Sequence, residues 1–227
     1  MKILVVNPNT TASMTKKIAA AARSVARPDT DIVAANSQNG PASIQGFLDV
    51  ATCVPGLLEE VARHPDVDAI VIACFDDTGL DAVRSLVSVP VLGIGEAAYH
   101  AASMIATKFS VITTLSRSVP GLENNLLRYG LAQKCARVRA TDIPVLKIEE
   151  GDPATLFKIR SEIREAIDQD HAEAIVLGCA GMADLMAQLS EEFGLPVIDG
   201  VAAGVALAEA LVNCGLKTSK IGAYSTG

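Results

Sequence analysis

Two cysteines in this chain stand in matching sequence surroundings. Cys74 ends the segment Asp68-Ala-Ile-Val-Ile-Ala-Cys74, and Cys179 ends Glu173-Ala-Ile-Val-Leu-Gly-Cys179, 105 residues later. A thiol can act as a general acid and, once deprotonated, as a general base, because its reference pKa of about 8.5 is easily brought toward neutrality. Two thiols on opposite faces of one carbon could therefore remove a proton on one side and deliver a proton on the other.

Inversion of a C–H stereocentre by this route also needs a carbonyl next to the carbon, with donors that stabilise the developing oxyanion. Each cysteine follows an apolar segment typical of a strand, and we expect helices to begin close behind, near Asp77 and near Gly181. A helix N-terminus carries partial positive charge, so it should lower the pKa of the thiol and supply backbone N–H donors. The sequence thus predicts two activated thiols at strand ends.

Short apolar segments rich in Val and Ile alternate along the chain with Ala-rich helical segments. The strands predicted from this pattern are 2–6, 68–73, 90–94, 109–113, 174–177, 196–198 and a last strand at 220–224. The predicted helices include one from Thr10 or Thr11 to about residue 26, one from about 96 to 107, and a longest one near 154–169. Apolar strands without polar alternation have both faces covered, so the alternation predicts an α/β fold with parallel sheets.

Two more segments recur in the same order as the cysteine segments. Val89-Pro-Val-Leu-Gly-Ile-Gly-Glu-Ala-Ala98 matches Leu195-Pro-Val-Ile-Asp-Gly-Val-Ala-Ala203, with the two prolines 106 positions apart. Lys2-Ile-Leu-Val-Val-Asn7 matches Lys108-Phe-Ser-Val-Ile-Thr113, also 106 positions apart. The repeat predicts two similar lobes related by a pseudo-twofold axis, lobe one being 1–95 plus 216–227 and lobe two 96–215. Because ligands of α/β folds bind beyond the carboxyl ends of strands, both thiols should face one cleft between the lobes.

The composition argues against several classes of protein. The chain has 227 residues and a formal net charge of −7. Proteins that bind nucleic acid without sequence specificity need a positively charged face for the phosphates, so the negative net charge argues against that function. Five cysteines without a C-x-x-C pair argue against a disulfide framework or a zinc site, and the three histidines fit no metal-ligand spacing. Cys53, Cys135 and Cys214 have no partner in the repeat, and we expect them to be small buried hydrophobes.

The start of the chain predicts a cytoplasmic location. Met1-Lys-Ile-Leu-Val-Val6 leads directly into a strand rather than a signal peptide. No apolar segment approaches the ~18 residues that a membrane span needs. We therefore expect a protein that acts on a small molecule, with neither a membrane nor a nucleic acid as partner.

Six segments distributed along the chain are distinctive as a set. They are Asn7-Pro-Asn-Thr10, Pro41-Ala-Ser-Ile-Gln-Gly46, Ile72-Ala-Cys-Phe-Asp-Asp77, Ser110-Val-Ile-Thr-Thr-Leu-Ser-Arg-Ser-Val-Pro120, Leu177-Gly-Cys-Ala-Gly-Met182 and Pro196-Val-Ile-Asp-Gly-Val201. Together they resemble the Asp/Glu racemase superfamily, and most closely its hydantoin racemase branch, which includes allantoin racemases. Each segment alone is weak, but the set is specific because it extends in order over almost the whole chain.

This resemblance implies a two-lobed pseudo-symmetric α/β fold, racemisation without a cofactor or a metal, and a homo-oligomer. It implies that Cys74 and Cys179 are catalytic and that the substrate lies between the lobes. By position in the matching loops, the residues implied to bind the substrate are Asn7, Pro8, Asn9, Ile44, Phe75, Thr113, Thr114, Ser118, Ala180 and Gly181. Alternatively, Asn9 or Thr10 and Ser118 could act simply as helix caps.

The residues after the two cysteines depart from those of the amino-acid racemases. Those relatives usually carry Asn-Thr after the first cysteine and Thr-His or Thr-Glu after the second, polar groups that hold an α-carboxylate and an amine. Here Phe75-Asp76 and Ala180-Gly181 follow. They suit a neutral ring better than a zwitterion, and Asp76 and Asp77 would repel a carboxylate if they face the pocket. The resemblance thus implies racemisation at C5 of a 5-monosubstituted hydantoin, where the C4 carbonyl acidifies the C5 proton.

Other functions stay open, as does the C5 substituent itself. Within the superfamily, an amino-acid (Asp/Glu) racemase and a maleate-type cis–trans isomerase are alternatives. Decarboxylase relatives have only one of the two cysteines, so the presence of both favours racemisation. Outside it, Gly93-Ile-Gly-Glu-Ala-Ala98 matches the G-x-G-x-x-A motif of dinucleotide-binding oxidoreductases, although Thr113-Thr-Leu115 stands where an acidic ribose ligand is expected. A two-lobed ligand-binding protein without catalytic activity is the last alternative.

Overall fold

The computed structural model describes residues 1–225, except for the side chains of residues 149 and 150. Strands and helices alternate along this part of the chain. The strands are β1 (Lys2–Asn7), β2 (Asp31–Asn36), β3 (Ala69–Ile72), β4 (Val91–Gly93), β5 (Phe109–Thr113), β6 (Cys135–Ala140), β7 (Ala174–Leu177) and β8 (Val197–Asp199). The helices are α1 (Ala12–Val25), α2 (Phe47–Ala62), α3 (Leu80–Leu86), α4 (Ile94–Ile105), α5 (Val119–Arg128), α6 (Val145–Glu150), α7 (Pro153–Asp168), α8 (Met186–Phe193) and α9 (Gly200–Asn213). Short 3-10 helices, Ser116–Ser118 and Ala180–Leu185, precede α5 and α8.

The strands form two parallel sheets of four, in the orders β2-β1-β3-β4 and β6-β5-β7-β8. The central strands are buried along almost their whole length, as apolar strands with both faces covered must be. The second order repeats the first when β5–β8 are compared with β1–β4, and pairs such as Ile3 with Ala69 and Phe109 with Ala174 occupy equivalent registers. The predicted α/β fold with two similar parallel sheets is therefore confirmed.

The two sheets share one apolar core. Successive side chains of β1 point to opposite faces, so Ile3 and Val5 join the core that spans both sheets, while Leu4 and Val6 pack with α2 and α3 on the outer face. Helix α4 contacts β7 and β8 as well as β4, and α9 contacts β3 and β4 as well as β8. Helices α4 and α9 thus pack against both sheets rather than against one sheet each, and the division into lobes at residues 95 and 215 stays a prediction.

No helix in the described part of the chain is long and apolar enough to cross a membrane.

The C-terminal segment differs from its prediction, because residues 220–224 form no strand. Gly222, in the left-handed conformation at φ 84°, turns the backbone within the predicted strand. The segment is held instead by Thr218, whose N–H and Oγ1 donate to the carbonyls of Ser88 and Val89 over 2.9 and 2.7 Å, and by Lys220, whose Nζ donates to the Arg84 carbonyl over 2.7 Å. The last two positions of predicted lobe one, 226 and 227, lie outside the described residues.

Two strands were absent from the sequence prediction, β2 and β6. Both are edge strands of their sheets, and most of their residues are only partly buried. Arg137 and Arg139 interrupt the apolar pattern of β6. Strand β2 contains the apolar segment Ile32-Val-Ala-Ala35, which the sequence prediction missed.

Candidate active site

Cys74 and Cys179 line one cleft at the carboxyl ends of the parallel strands, each two residues beyond the end of its strand, β3 or β7. The cleft is narrow, with a cavity volume of about 30 Å³ measured as room for the centre of a water molecule. Its lining residues are Asn9, Met14, Ile44, Ala73, Cys74, Phe75, Asp76, Thr113, Thr114, Ser118, Val145, Gly178, Cys179 and Ala180. Thiols from two repeats of the sequence thus meet in one space.

The Cys74 thiol contacts two polar side chains of its own turn. Thr78 Oγ1 donates to Cys74 Sγ over 3.6 Å, and Cys74 Sγ donates to Asp76 Oδ2 over 3.9 Å. Burial raises the pKa of the Cys74 thiol well above its ordinary value, and the Asp76 carboxylate raises it further, while the Thr78 hydrogen bond lowers it. The predicted helix near Asp77 is wrong, because Asp77 (φ 52°) and Gly79 (φ 72°) are left-handed and α3 begins at Leu80.

Cys179 is followed at once by the 3-10 helix Ala180–Leu185. Burial raises the pKa of its thiol to about 11, a hydrogen bond from the Gly181 N–H lowers it, and the Asp76 carboxylate raises it. The charge of Asp76 therefore acts on both thiols. The prediction that helix N-termini lower the pKa of both thiols is wrong for this structure, because burial outweighs the N–H donors.

The two aspartates after Cys74 have different positions. Asp76 lines the cleft, and burial raises the pKa of its carboxyl to about 6. Asp77 is buried away from the cleft, where its carboxylate accepts from the N–H groups of Gly95 and Glu96 over 2.9 and 2.7 Å and from the Tyr129 hydroxyl over 2.7 Å. Asp77 thus fastens the Cys74 turn to the start of α4 and to the end of α5.

The loop after β1 contributes Asn9 to the cleft. Asn7 lies fully buried behind it and donates from Nδ2 to Asn9 Oδ1 over 2.9 Å and to Thr15 Oγ1 over 3.0 Å. Asn9 Oδ1 also accepts from the Thr11 N–H over 2.9 Å, so Asn9 holds the turn before α1 and faces the cleft. Neither Asn7 nor Pro8 is among the lining residues, and Asn7 orients Asn9 instead.

Ile44 comes from the long loop between β2 and α2. The Thr10 N–H donates to the Pro41 carbonyl over 3.1 Å, and the Val145 N–H donates to Gln45 Oε1 over 3.4 Å. These bonds join the loop to the turn after β1 on one side and to α6 on the other. They place Ile44 and Val145 together on the wall of the cleft.

The second sheet contributes hydroxyl groups. Thr113 Oγ1 donates to the Gly178 carbonyl over 3.2 Å, so this hydroxyl is engaged in holding the turn before Cys179. The hydroxyls of Thr114 and Ser118 line the cleft and bond to no other described side chain or backbone group. Ser118 precedes α5 without capping it through its side chain. Thr114 and Ser118 are therefore available to a substrate.

Some lining residues were not predicted from the sequence, namely Met14, Ala73, Asp76, Val145 and Gly178. Ala73 and Gly178 directly precede the cysteines, so the repeat contained a signal for them, whereas Val145 has no equivalent in the repeat. Gly181 was predicted but does not line the cleft, although a Cβ added there would lie 3.6 Å from Cys179 Sγ. Phe75 and Ala180 line it as predicted.

The cleft offers neutral donors and one carboxyl group. No Lys, Arg or His is among the described lining residues. In the part of the chain that the structure describes, no group of three or more His, Cys, Asp or Glu side chains is arranged to hold a metal ion. The thiols and the Asp76 carboxyl are the titratable groups that line it.

Several known proteins similar to this chain are racemases. The family model described as Asp/Glu/Hydantoin racemase matches residues 3–208. The hydantoin racemases of Pseudomonas sp. (strain NS671) and Rhizobium meliloti are 47% and 48% identical, over 99% of this chain and 91% and 94% of theirs. The structure of an allantoin racemase from Klebsiella pneumoniae has a TM-score of 0.97 at 46% identity, covering 100% of this chain and 94% of that one. The resemblance of the six segments is thereby confirmed, and the chain belongs to the Asp/Glu/Hydantoin racemase family.

Proposed function

We propose that this chain racemises 5-monosubstituted hydantoins by moving protons between C5 and the thiols of Cys74 and Cys179. The observation that carries the proposal is two thiols, on turns after equivalent strands, in one narrow cleft. The relatives that are 47% and 48% identical are hydantoin racemases, which supports the substrate class. A flat ring is also the shape that a narrow cleft admits with least widening.

In the proposed reaction one cysteine starts as a thiolate and the other as a thiol. The thiolate takes the C5 proton, so the C–H bond breaks, an S–H bond forms, and the electron pair passes into the C4 carbonyl as an enolate. The second thiol then delivers its proton to the opposite face of C5, where the enolate electron pair forms the new C–H bond. The product has the opposite configuration, and thiol and thiolate have exchanged places.

The enolate oxygen needs donors that do not themselves lose a proton. The Asn9 amide and the hydroxyls of Thr114 and Ser118 are neutral donors on the wall of the cleft. Fixed dipoles of this kind act strongly in a site from which water is excluded. We infer that they polarise the C4 carbonyl and stabilise the enolate, whereas Phe75 and Ala180 contact the ring.

The charges of the cleft favour a neutral ring over the alternatives inside the family. An amino acid or maleate would bring a carboxylate beside Asp76, with no described Lys, Arg or His on the wall to balance it. For the oxidoreductase alternative, the N–H groups of Gly95 and Glu96, which would bind a pyrophosphate at the start of α4, are already occupied by the Asp77 carboxylate. A ligand-binding protein without catalytic activity would have no use for two thiols in one cleft.

We also propose that the protein is a cytoplasmic homo-oligomer that needs no cofactor. The proton transfers written above balance without one. A reducing compartment suits a site that depends on free thiols. Exposed apolar side chains on the surface, such as Met104 at 73% and Phe157 at 67%, support burial against another copy of the chain, which light scattering after gel filtration would test.

Proton NMR in D₂O, with polarimetry alongside, tests the mechanism. Enantiopure 5-methylhydantoin and allantoin are incubated with the wild-type protein and with the variants Cys74→Ser, Cys179→Ser and, as a control, Cys214→Ser at an exposed position. Rates without protein are subtracted because hydantoins exchange slowly on their own. We expect racemisation with deuterium at C5 for the wild type and the control.

Either cleft variant should lose racemisation by about 10³-fold, within the range by which positioned acids and bases accelerate proton transfer. Residual exchange of one enantiomer in a variant would assign each cysteine its face of C5. A wild-type protein that leaves both substrates unchanged would contradict the hydantoin proposal, and amino acids and maleate would be tested next. Full activity of either cleft variant would contradict the two-thiol mechanism.

A further inference from the structure

A side pocket adjoins the cysteine cleft between the first turns of α2 and α5. It shares two lining residues with the cleft, Asp76 and Ser118. Its cavity volume, about 170 Å³, is more than five times the 30 Å³ of the cleft. The cysteine cleft and the side pocket are therefore neighbouring spaces, and the proton transfer does not use the second.

We propose that this side pocket receives the C5 substituent of the substrate and favours a ureido group, as in allantoin, over an apolar group of the same shape. The inference rests on the proposed function, because it needs C5 to lie between the two thiols. The substituent leaves the ring at C5 itself, next to the thiols. Asp76, whose Oδ2 is 3.9 Å from Cys74 Sγ, borders both spaces at that point.

Polar side chains of the side pocket supply the preference. The exposed side chains of Arg117 and Asn124 line it and form no hydrogen bond or ion pair with another residue in the described part of the chain. A ureido group offers N–H donors to the Asp76 carboxylate and to the Asn124 carbonyl, and a carbonyl acceptor to the Arg117 guanidinium. An isobutyl group has the same number and branching of heavy atoms, but it would remove these polar groups from water without satisfying them.

The size of the side pocket depends on Gly121 in the first turn of α5. A Cβ added at Gly121 would lie 3.6 Å from Asp76 Oδ1 and 3.7 Å from Phe47 Cε1, so the space between these two side chains exists because residue 121 has none. Both distances are ordinary van der Waals contacts. Alanine is also a better helix former than glycine, so Gly121→Ala should fold normally and fill part of the pocket.

The experiment measures deuterium exchange at C5 and kcat/KM for three hydantoins, with 5-methyl, 5-isobutyl and 5-ureido substituents. The variants are Gly121→Ala, Arg117→Ala, and Gly181→Ala, which adds the same methyl group beside Cys179 Sγ at 3.6 Å. Arg128→Ala at the end of α5 is the matched control for loss of an exposed arginine, because Arg128 pairs with Asp81 instead. Thermal unfolding checks that each variant is folded.

We expect the wild type to prefer the ureido to the isobutyl compound by about 10-fold or more, from one to two satisfied charge-assisted hydrogen bonds. Gly121→Ala should lower kcat/KM about 10-fold for both larger substrates and leave the methyl compound nearly unchanged. Arg117→Ala should raise KM for the ureido compound alone, whereas Arg128→Ala should not. Gly181→Ala should impair all three substrates.

Two patterns would overturn the inference while leaving the proposed function intact. In one, Gly121→Ala affects all three substrates alike or none of them, so the substituent does not enter the side pocket. In the other, the isobutyl compound is preferred in the wild type, so the polar lining does not select the ureido group. Failure of the wild type on all three substrates would instead refute the proposed function.

Discussion

The turns that carry Cys74 and Cys179 follow equivalent strands, yet different kinds of interaction hold them. Three residues after Cys74 stands Asp77, a buried carboxylate that accepts three hydrogen bonds from α4 and Tyr129. Three residues after Cys179 stands Met182, fully buried in the apolar core, and the turn continues as a 3-10 helix. Hydrogen bonds to a buried carboxylate hold the chain after Cys74. After Cys179 backbone structure and apolar packing hold it, and the Thr113 hydroxyl bonds to the residue before that cysteine.

Helices α4 and α9, which pack against each other, show the same contrast at their N-termini. Asp199 caps α9 locally, accepting from the N–H groups of Val201 and Ala202 over 3.3 and 2.8 Å. The residue equivalent to Asp199 before α4 is Gly93, and the carboxylate that accepts from the equivalent N–H groups belongs to Asp77. A side chain at residue 93 would overlap the Asp77 carboxyl. Helix α9 is therefore capped by the residue that directly precedes it, whereas α4 is capped by Asp77 from the Cys74 turn.

The surroundings of the two thiols also differ. Burial raises the pKa of both thiols, and the Asp76 carboxylate raises both further, but Asp76 Oδ2 lies 3.9 Å from Cys74 Sγ, whereas Cys179 accepts a hydrogen bond from the Gly181 N–H. In the proposed mechanism one negative charge is shared by the pair. Because the Asp76 carboxylate lies beside Cys74 Sγ and the Gly181 N–H donates to Cys179, we infer that this charge resides on Cys179 before the substrate binds, with Cys74 as the thiol.

The largest effect should come from Gly93→Ala, which forces the Asp77 carboxyl out of its place. Three hydrogen bonds and the fastening of the Cys74 turn are lost together, so we expect a loss of about 3 kcal/mol or more in the free energy of unfolding. For a chain of this size that lowers Tm by about 6–12 °C. The matched change in the other half, Asp199→Ala, removes a local cap and should cost about 1 kcal/mol. Equal Tm values for the two variants would contradict the capping of α4 by Asp77.

A smaller effect on stability should follow when α4 is given a local cap at residue 93, like the cap of α9 at residue 199. The double variant Gly93→Asp with Asp77→Gly gives α4 a cap of its own. Glycine accepts the φ of 52° at residue 77 and removes the Cβ that would lie 2.9 Å from a Cβ at residue 93, so Tm should return to within a few degrees of the wild type. The bond to Tyr129 is not restored, and the Cys74 turn loses its connection to the end of α5. Racemisation should stay about 10- to 100-fold low, because small misplacement of a reacting group is costly. Full recovery of activity would show that Asp77 has no part in positioning Cys74.

The sequence was sufficient for the central strands and for the meeting of the two thiols. Segments such as 69–72 and 174–177 are buried on both faces, so their apolar character is a direct consequence of position. The edge strand β6 was hidden because Arg139 belongs to it and is paired with Asp170 over 2.6 Å. Val145 could not be assigned to the cleft, because its place depends on a loop conformation that no local pattern encodes.

The direction of the thiol pKa shifts could not be predicted from the sequence either. The strand-end position of each cysteine suggested activation by N–H donors, but the pKa depends equally on how much water the folded cleft admits. Gly181 supplies the expected donor to Cys179, yet burial dominates. The capping of α4 by Asp77 could not be predicted from the sequence either, because only the folded chain brings Asp77 next to Gly93.

The smallest effect, and the most direct comparison of the two thiols, should come from Asp76→Asn. The pKa of the Asp76 carboxyl is raised to about 6 by burial, so the wild type carries this negative charge mainly above pH 6 and is neutral there below it. Removing the charge favours the thiolate, so the pKa of Cys74 should fall, and that of Cys179 should fall as well, because Asp76 raises both. Alkylation by iodoacetamide, followed for each cysteine by peptide mass spectrometry, should become severalfold faster above pH 6.

Two features of these profiles distinguish an effect of charge from a general loosening of the cleft. In the wild type Cys179 should be alkylated at lower pH than Cys74, because the Asp76 carboxylate lies beside Cys74 Sγ and the Gly181 N–H donates to Cys179. The profiles of the wild type and Asp76→Asn should converge below about pH 6, where the wild-type carboxyl is itself protonated. The rising limb of kcat/KM should shift to lower pH in the same variant. Faster alkylation at every pH would mean that the substitution opens the cleft, and Cys74 reacting first in the wild type would overturn the assignment of the resting thiolate to Cys179.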